Sequence, residues 1–365
     1  MNEISIKLQK VRRFMSKRKL AAVLYGNLNN FAWLTGGKEA HVLLAGEGAV
    51  ASLLVTPRRA FVLANNIECK RMHGEEISSR LWEPLVFPWH EADKAGALMR
   101  KVVGRGVVAS DNGAHGTRNL GADLGRLRWQ LLPPEIKRYR ELGEITSGSL
   151  EKTCRAIKPG MTEHEITARL VSEVMKQGAI PYVALVGTDE RIHRYRHSIP
   201  KDKKLRRHAL LVMCARKYGL IAAATRIVHF GKLPREIRKR HNAVCVVDIA
   251  FNLATRPGAS SRDVFKAGMD AYAEQGYPGE WKLHHQGGAT GYAGREWFGT
   301  PTLKETVLEN QAFAWNPSIT GTKSEDTVLV TKEGMEVLTL AGERWPMVHF
   351  HHPEGCIERP DILVR

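Results

Sequence analysis

The chain has 365 residues, 43% of them apolar and 25% charged, which suits two globular domains with separate cores and excludes a disordered chain. Lysine and arginine number 55 against 38 acidic residues, a net charge of +17 that suits an anionic partner, but the basic runs are not interleaved with aromatics and do not point to nucleic acid. No apolar run approaches the ~20 residues of a membrane helix, the charge-broken N-terminus lacks the apolar core of a signal peptide, and Cys69, Cys154, Cys214, Cys245 and Cys356 are scattered without a CxxC pair, as expected of reduced thiols in a cytoplasmic protein.

Ile4, Leu8, Val11, Met15 and Leu20 recur at helical spacing and predict an amphipathic first helix whose basic residues form a solvated face. Four runs bounded by Gly, Pro and Asn read as short strands: residues 21–26 (AAVLYG), 41–46 (HVLLAG), 51–57 (ASLLVTP) and 60–65 (AFVLAN). The stretch 102–113 continues the pattern. Residues 133–177 are helical and charged, and Thr162 with Glu165 has capping-box spacing just after Pro159-Gly160. The step Leu131-Leu132-Pro133-Pro134 is the expected boundary, giving domains 1–132 and 133–365. Residues 209–231 read as two strands joined at Lys217-Tyr218-Gly219, 235–275 as helix, and 311–340 as strands again. Helices followed by strands within one compact region predict an α+β arrangement there.

Five segments, in order and spread over nearly the whole chain, resemble the creatinase, prolidase and aminopeptidase-P superfamily. They are Asn30-Phe31-Ala32-Trp33-Leu34-Thr35-Gly36, Lys158-Pro159-Gly160-Met161-Thr162-Glu163, Thr225-Arg226 with Gly231, Thr255-Arg256-Pro257-Gly258, and residues 321–330 (GTKSEDTVLV). The resemblance implies a smaller α/β creatinase-type N-terminal domain, an α+β "pita-bread" C-terminal domain and a homodimer. Peptidases of the superfamily hold two divalent ions with two Asp, one His and two Glu, because hard oxygen donors fix two ions that activate one water. Aligned on Gly219 and Thr225-Arg226, this chain has Val212 and Ala223 at the aspartate positions. No acidic residue lies between Asp202 and Glu236. Asn316 falls at one glutamate position, leaving Glu325 and one of His284 and His285. The expectation is therefore no metal and no other cofactor.

Creatinase cleaves a C–N bond without metal, with a histidine as acid/base. The matching segment here is residues 195–205 (YRHSIPKDKKL), with His197 at the acid/base position and His193 nearby. An imidazole suits proton transfer both ways near neutrality. His284 and Glu325 complete the expected catalytic set. Expected substrate contacts are His285, Asn316, Arg226, Arg295, Glu296, Lys323, Tyr292 and His193. Gly294-Arg295-Glu296 resembles a creatinase segment, and the basic residues suit a carboxylated small molecule. The leading expectation is thus a metal-independent, creatinase-like hydrolase of a C–N bond in a small polar molecule. Elimination, cyclisation or proton transfer at the same site is the chemical alternative, and a non-catalytic binding scaffold is the alternative of a different class. His349, His351, His352 and Cys356 are expected to be a domain edge and not a metal site.

Overall fold

The computed structural model describes residues 2–352 and 355–365, and the chain divides into two compact units. The first comprises residues 1–135 with 218–220, and the second residues 136–217 and 221–365.

In the first unit, helix α1 (Glu3–Arg18) buries Leu8, Val11 and Met15 on the predicted stripe. It also buries Lys7, which the sequence assigns to a solvated face. Its ammonium meets Glu3 at 2.6 Å, Glu135 at 2.8 Å and the Trp33 carbonyl at 2.6 Å, so the charge is paired inside the unit. Strand β1 (Ala22–Asn27) leads into α2 (Leu28–Thr35), followed by β2 (Gly48–Val55), β3 (Ala60–Asn65), β4 (Glu83–Phe87), α3 (Lys94–Val103), β5 (Val108–Ser110) and β6 (Arg118–Asn119). The strands form one sheet in the order β4-β3-β2-β1-β5-β6. Residues 41–46 are not a strand: Val42, Leu43 and Leu44 lie exposed in the loop before β2. Asn30 of the first quoted segment donates to Asp111 (2.7 Å) and accepts from Arg128 (2.6 Å), while Asp111 also receives the Gly26 and Asn27 amides. That asparagine anchors α2 to the sheet.

Helix α4 (Pro133–Ala156) begins at the expected boundary, and the division between units falls in its first turn, after Glu135. Then come α5 (Glu163–Met175), β7 (Ile180–Thr188), β8 (His208–Lys217) and β9 (Leu220–His229), the latter two turning at Tyr218 and Gly219, both with positive φ. The capping box is present: Thr162 Oγ1 accepts the Glu165 amide and Glu165 accepts the Thr162 amide. Helices α6 (Arg235–Ala254) and α7 (Ser261–Glu274) precede β10 (Gly287–Thr290), β11 (Trp297–Phe298), β12 (Ala312–Trp315), β13 (Ser318–Ile319), β14 (Thr322–Lys323), β15 (Asp326–Val330) and β16 (Met335–Val337). The chain ends with β17 (Met347–His352), β18 (Gly355–Pro360) and β19 (Leu363–Val364). One sheet has the order β11-β10-β12-β15-β16 and another β19-β9-β8-β7. This is the pita-bread arrangement. Under β12, Phe251 of α6 stacks on Trp315 at 4.7 Å, and Trp315 Nε1 donates to Thr255. The five cysteines are free, and among the described residues no helix is long and apolar enough to cross a membrane. In the β17–β18 hairpin His349 pairs with Glu358 and His351 is exposed, while the His352 side chain lies outside the described residues.

Candidate active site

Two carboxylates, Glu163 and Asp189, shape the loop that carries His197. Glu163, fully buried at the start of α5, accepts from the Thr188 amide (2.9 Å), the Lys201 amide (3.0 Å) and Arg191 (3.0 Å), so it ties both ends of residues 189–201. Asp189 accepts the amides of Arg206, Arg207 and His208. Between these ties Arg196 reaches Glu280, Ser318 and Thr320. Glu280 opens the short helical turn that precedes His284, so this ion pair draws the two histidine-bearing segments together. The sequence marks Glu163 only as part of a turn and gives no weight to Asp189 or the Arg196–Glu280 pair, because their roles depend on contacts distant in sequence.

Beyond the turn, buried Gln286 donates to the His284 carbonyl at 2.6 Å and accepts from Tyr272. Gly287 follows with φ +87, and a side chain there would collide with the Ala314 carbonyl, so glycine is what lets β10 and β12 close. The result is a cluster of three imidazoles. His284 Nε2 lies 3.1 Å from His197 Nε2, and the His284 and His285 rings stack with centroids 4.4 Å apart. His285 Nδ1 accepts the Gly287 amide, which leaves its proton on Nε2.

The second half of the site is a buried ion triad. Glu325 accepts from Lys323 Nζ at 2.6 Å and from Thr225 Oγ1 at 2.7 Å, and Arg295 stands 3.6 Å away. Burial pushes the Glu325 carboxyl up, but Lys323, Arg295 and the two hydrogen bonds outweigh it and hold it below its ordinary range. Two cations thus face one carboxylate. Their field reaches the histidines. Burial, then Lys323 and the neighbouring rings, push His284 down to about 2. Burial, then Arg295 and Lys323, bring His285 to about 4. His197 is also lowered, by burial and Lys323, with Glu325 acting in the opposite direction. At neutral pH the imidazoles are uncharged hydrogen-bonding groups beside a surplus positive charge. The Cys214 thiol nearby is pushed up to about 12 by burial, with Glu325 adding to the rise, and is not a nucleophile at neutral pH.

Val212 and Ala223 are buried and carry no donor atom, so the residues present do not fit the two-ion ligand set of the superfamily. Among the described residues His197, His284 and His285 form the one group of three potential metal ligands, their ring nitrogens within 4.8 Å of one another. The cations that depress their protonation would oppose a divalent ion in the same way. Asn316 is buried beside β10, its amide bonded to the Gln286 carbonyl and its side-chain oxygen without a partner among the described residues.

Not every expected contact joins the cluster. Arg226 is 1% exposed and donates to Asp326, the Thr339 carbonyl and its neighbour Thr225, so it is a structural ion pair and not a substrate contact. His193 packs on Gly321, where burial, and then Arg240, lower its protonation. Tyr292 is buried, and Glu296 accepts the Ala293 amide in the turn before β11. These two brace the loop that carries Arg295. Thr225, which the sequence marks only as a neighbour of Arg226, is the residue that reaches Glu325.

A family model described as metallopeptidase family M24 matches residues 137–332, more than half of the chain. An uncharacterized peptidase of Staphylococcus aureus strain MW2 is 25% identical over 299 residues, covering 74% of this chain and 83% of that one. Among solved structures, the Xaa-Pro dipeptidase from Bacillus anthracis is similar with a TM-score of 0.79 at 18% identity, covering 99% of this chain and 100% of its own. The N-terminal domain of FACT complex subunit SPT16 from Cicer arietinum is similar with a TM-score of 0.72 at 12% identity, covering 94% of this chain and 97% of its own. Both structural likenesses concern the fold.

Proposed function

The chain belongs to metallopeptidase family M24, which makes it a peptidase-like C–N hydrolase, and from that premise we propose that it cleaves a C–N bond in a small carboxylated molecule without the two-metal centre. The observation that carries this reading is the Lys323–Glu325–Arg295 triad beside three neutral imidazoles. In peptidases of this fold two ions supply positive charge and activate water. Here fixed ammonium and guanidinium groups supply the charge, and proton transfer falls to a histidine. His197, whose neutral ring is exposed to the site mouth, takes a proton from water as the oxygen bonds to the amide or amidine carbon. The C–N bond then breaks and the same proton goes to the leaving nitrogen. His284, bonded to His197, orients the ring, and its very low proton affinity keeps the transferred proton on His197. Lys323 and Arg295 hold the substrate carboxylate.

The test is turnover of N-acyl and amidino amino acids by EDTA-treated protein. Wild type should retain its rate, and His197→Ala should lose at least ~100-fold. Full activity in that variant would remove His197 from the reaction, and strict dependence on added divalent metal would overturn the metal-free reading.

A non-catalytic scaffold is the second reading. The observation in its favour is the cavity beneath His284, which Val212 helps to line and whose 20 Å³ holds about one water. Absence of turnover across the panel, with a protein partner retained on a column of the folded chain, would favour it.

A further inference from the structure

Large apolar side chains normally reach the surface singly, and such exposure needs no explanation. Around the histidine cluster they converge. Tyr182, Tyr195, Ile199, Leu283 and Phe298 are each between 39% and 59% exposed, and Tyr182, the loop of Tyr195 and Ile199, Leu283 and Phe298 lie apart in the chain. The Phe298 ring lies 5.1 Å from that of His285. Tyr195 lines the cavity under His284, and Leu283 is the residue before His284. The Ile199 amide bonds back to the His197 carbonyl at 3.1 Å. Tyr182 packs on Gly294, next to Arg295. A small, wholly polar substrate would use none of these groups.

The charge at the bottom of this apolar ring is equally specific. Among the described residues Lys323 and Arg295 both pair with Glu325, two cations on one carboxylate, while Arg196 is neutralised by Glu280. Arg295 Nε is buried without a hydrogen-bond partner among the described residues. A single negative charge is what this arrangement lacks.

We propose that the mouth of the site binds an amphipathic monocarboxylate, its anionic group drawn to Lys323 and Arg295 and its apolar or aromatic body covering Phe298, Tyr195 and Leu283. The natural substrate is then an acid that keeps its carboxylate free, carries a separate amide C–N bond (an N-acyl amino acid, for example) and has a sizeable hydrocarbon part, and not a small polar compound. The substrate class rests on the hydrolytic reading above, whereas the binding preference can be read without turnover.

Isothermal titration of the full chain with inert acids provides the test. Affinity should rise at least about tenfold from acetate to 3-phenylpropionate as hydrocarbon is buried, and fall by a similar factor for the uncharged 3-phenylpropanamide. Phe298→Ala combined with Tyr195→Ala should remove the gain from the phenyl group. Both residues are exposed, so the variant keeps its core, and an unchanged melting temperature verifies this. Affinity that ignores chain length overturns the proposal while leaving hydrolysis untouched. The proposal also fails if the double variant turns a dimer into a monomer with carboxylate affinity unaltered, because a second copy would then be what covers the ring. Failure of hydrolysis with the chain-length preference intact would count against the enzyme reading alone.

Discussion

Lys323 and Glu325 meet at 2.6 Å with both side chains at most 8% exposed, so neither charge has water as an alternative partner. Replacing Lys323 by Met would leave the carboxylate with Arg295 at 3.6 Å and Thr225 only. Breaking a buried pair from one side costs about 3 kcal/mol, and a lower urea midpoint should report it. The same substitution acts on the imidazoles with a defined sign. Lys323 is a depressing influence on His197, His284 and His285, so its removal should raise all three protonation midpoints. Burial is the larger cause for each, and recovery toward the ordinary 6.5 should be partial. Imidazole resonances followed through a pH titration would reveal the rise, and midpoints that stay in place would show that the ammonium does not control the cluster. Arg226 makes the complementary point. Its guanidinium is bound to Asp326, and an Arg226→Met change should harm stability without altering the histidine titrations.

Helices α6 and α7 set the floor under β12, and their crossing depends on a residue with no side chain. Gly268 lies within α7, where glycine costs about 1 kcal/mol relative to alanine in helix propensity. The Phe251 ring fills the space that a Cβ would occupy, and Phe251 in turn stacks on Trp315 next to Asn316. Overpacking of this kind costs typically 1–3 kcal/mol and exceeds the propensity gain. Gly268→Ala should therefore destabilise the chain in urea although alanine is the better helix former. A stabilised variant would mean that the ring can move aside. Features legible in the sequence are those with local causes. The Thr162–Glu165 capping box, the α1 stripe and the turn at Tyr218-Gly219 need only neighbours a few residues apart. What was not legible depends on tertiary partners. The apolar run at residues 41–46 has strand composition, but the chain leaves it exposed ahead of β2. Lys7 resembles any surface lysine until Glu135 folds against it. At the site, His197, His284 and Glu325 were readable from motif resemblance. That Arg295 and Lys323 close on one carboxylate was not, because Arg226 looked an equal candidate until Asp326 claimed it.

Across the whole molecule, buried histidines are a common store of pH-dependent stability. His208 is held at about 3 and His241 at about 4, mainly by burial, and His284 and His285 at about 2 and 4. In the unfolded chain each returns to the ordinary value of 6.5, so between the two values the unfolded state binds more protons. Stability from this source is complete above pH 6.5 and is lost as the pH falls toward 4. Glu325 behaves differently: its folded value lies below the ordinary 4.5, so its contribution persists until the pH drops beneath that range. The urea midpoint should thus decline from pH 7 to about pH 5, before carboxylates titrate. A competing cause has the same sign, since the net charge of +17 grows on acidification and strengthens self-repulsion. Salt separates the two. Repulsion among exposed charges is screened at high ionic strength, whereas the cost of protonating a buried ring is screened far less. If burial dominates, the decline persists in high salt, and replacing His208 or His241 by Gln or Asn reduces its slope. A decline that vanishes with salt would assign the acid sensitivity to the basic surface instead.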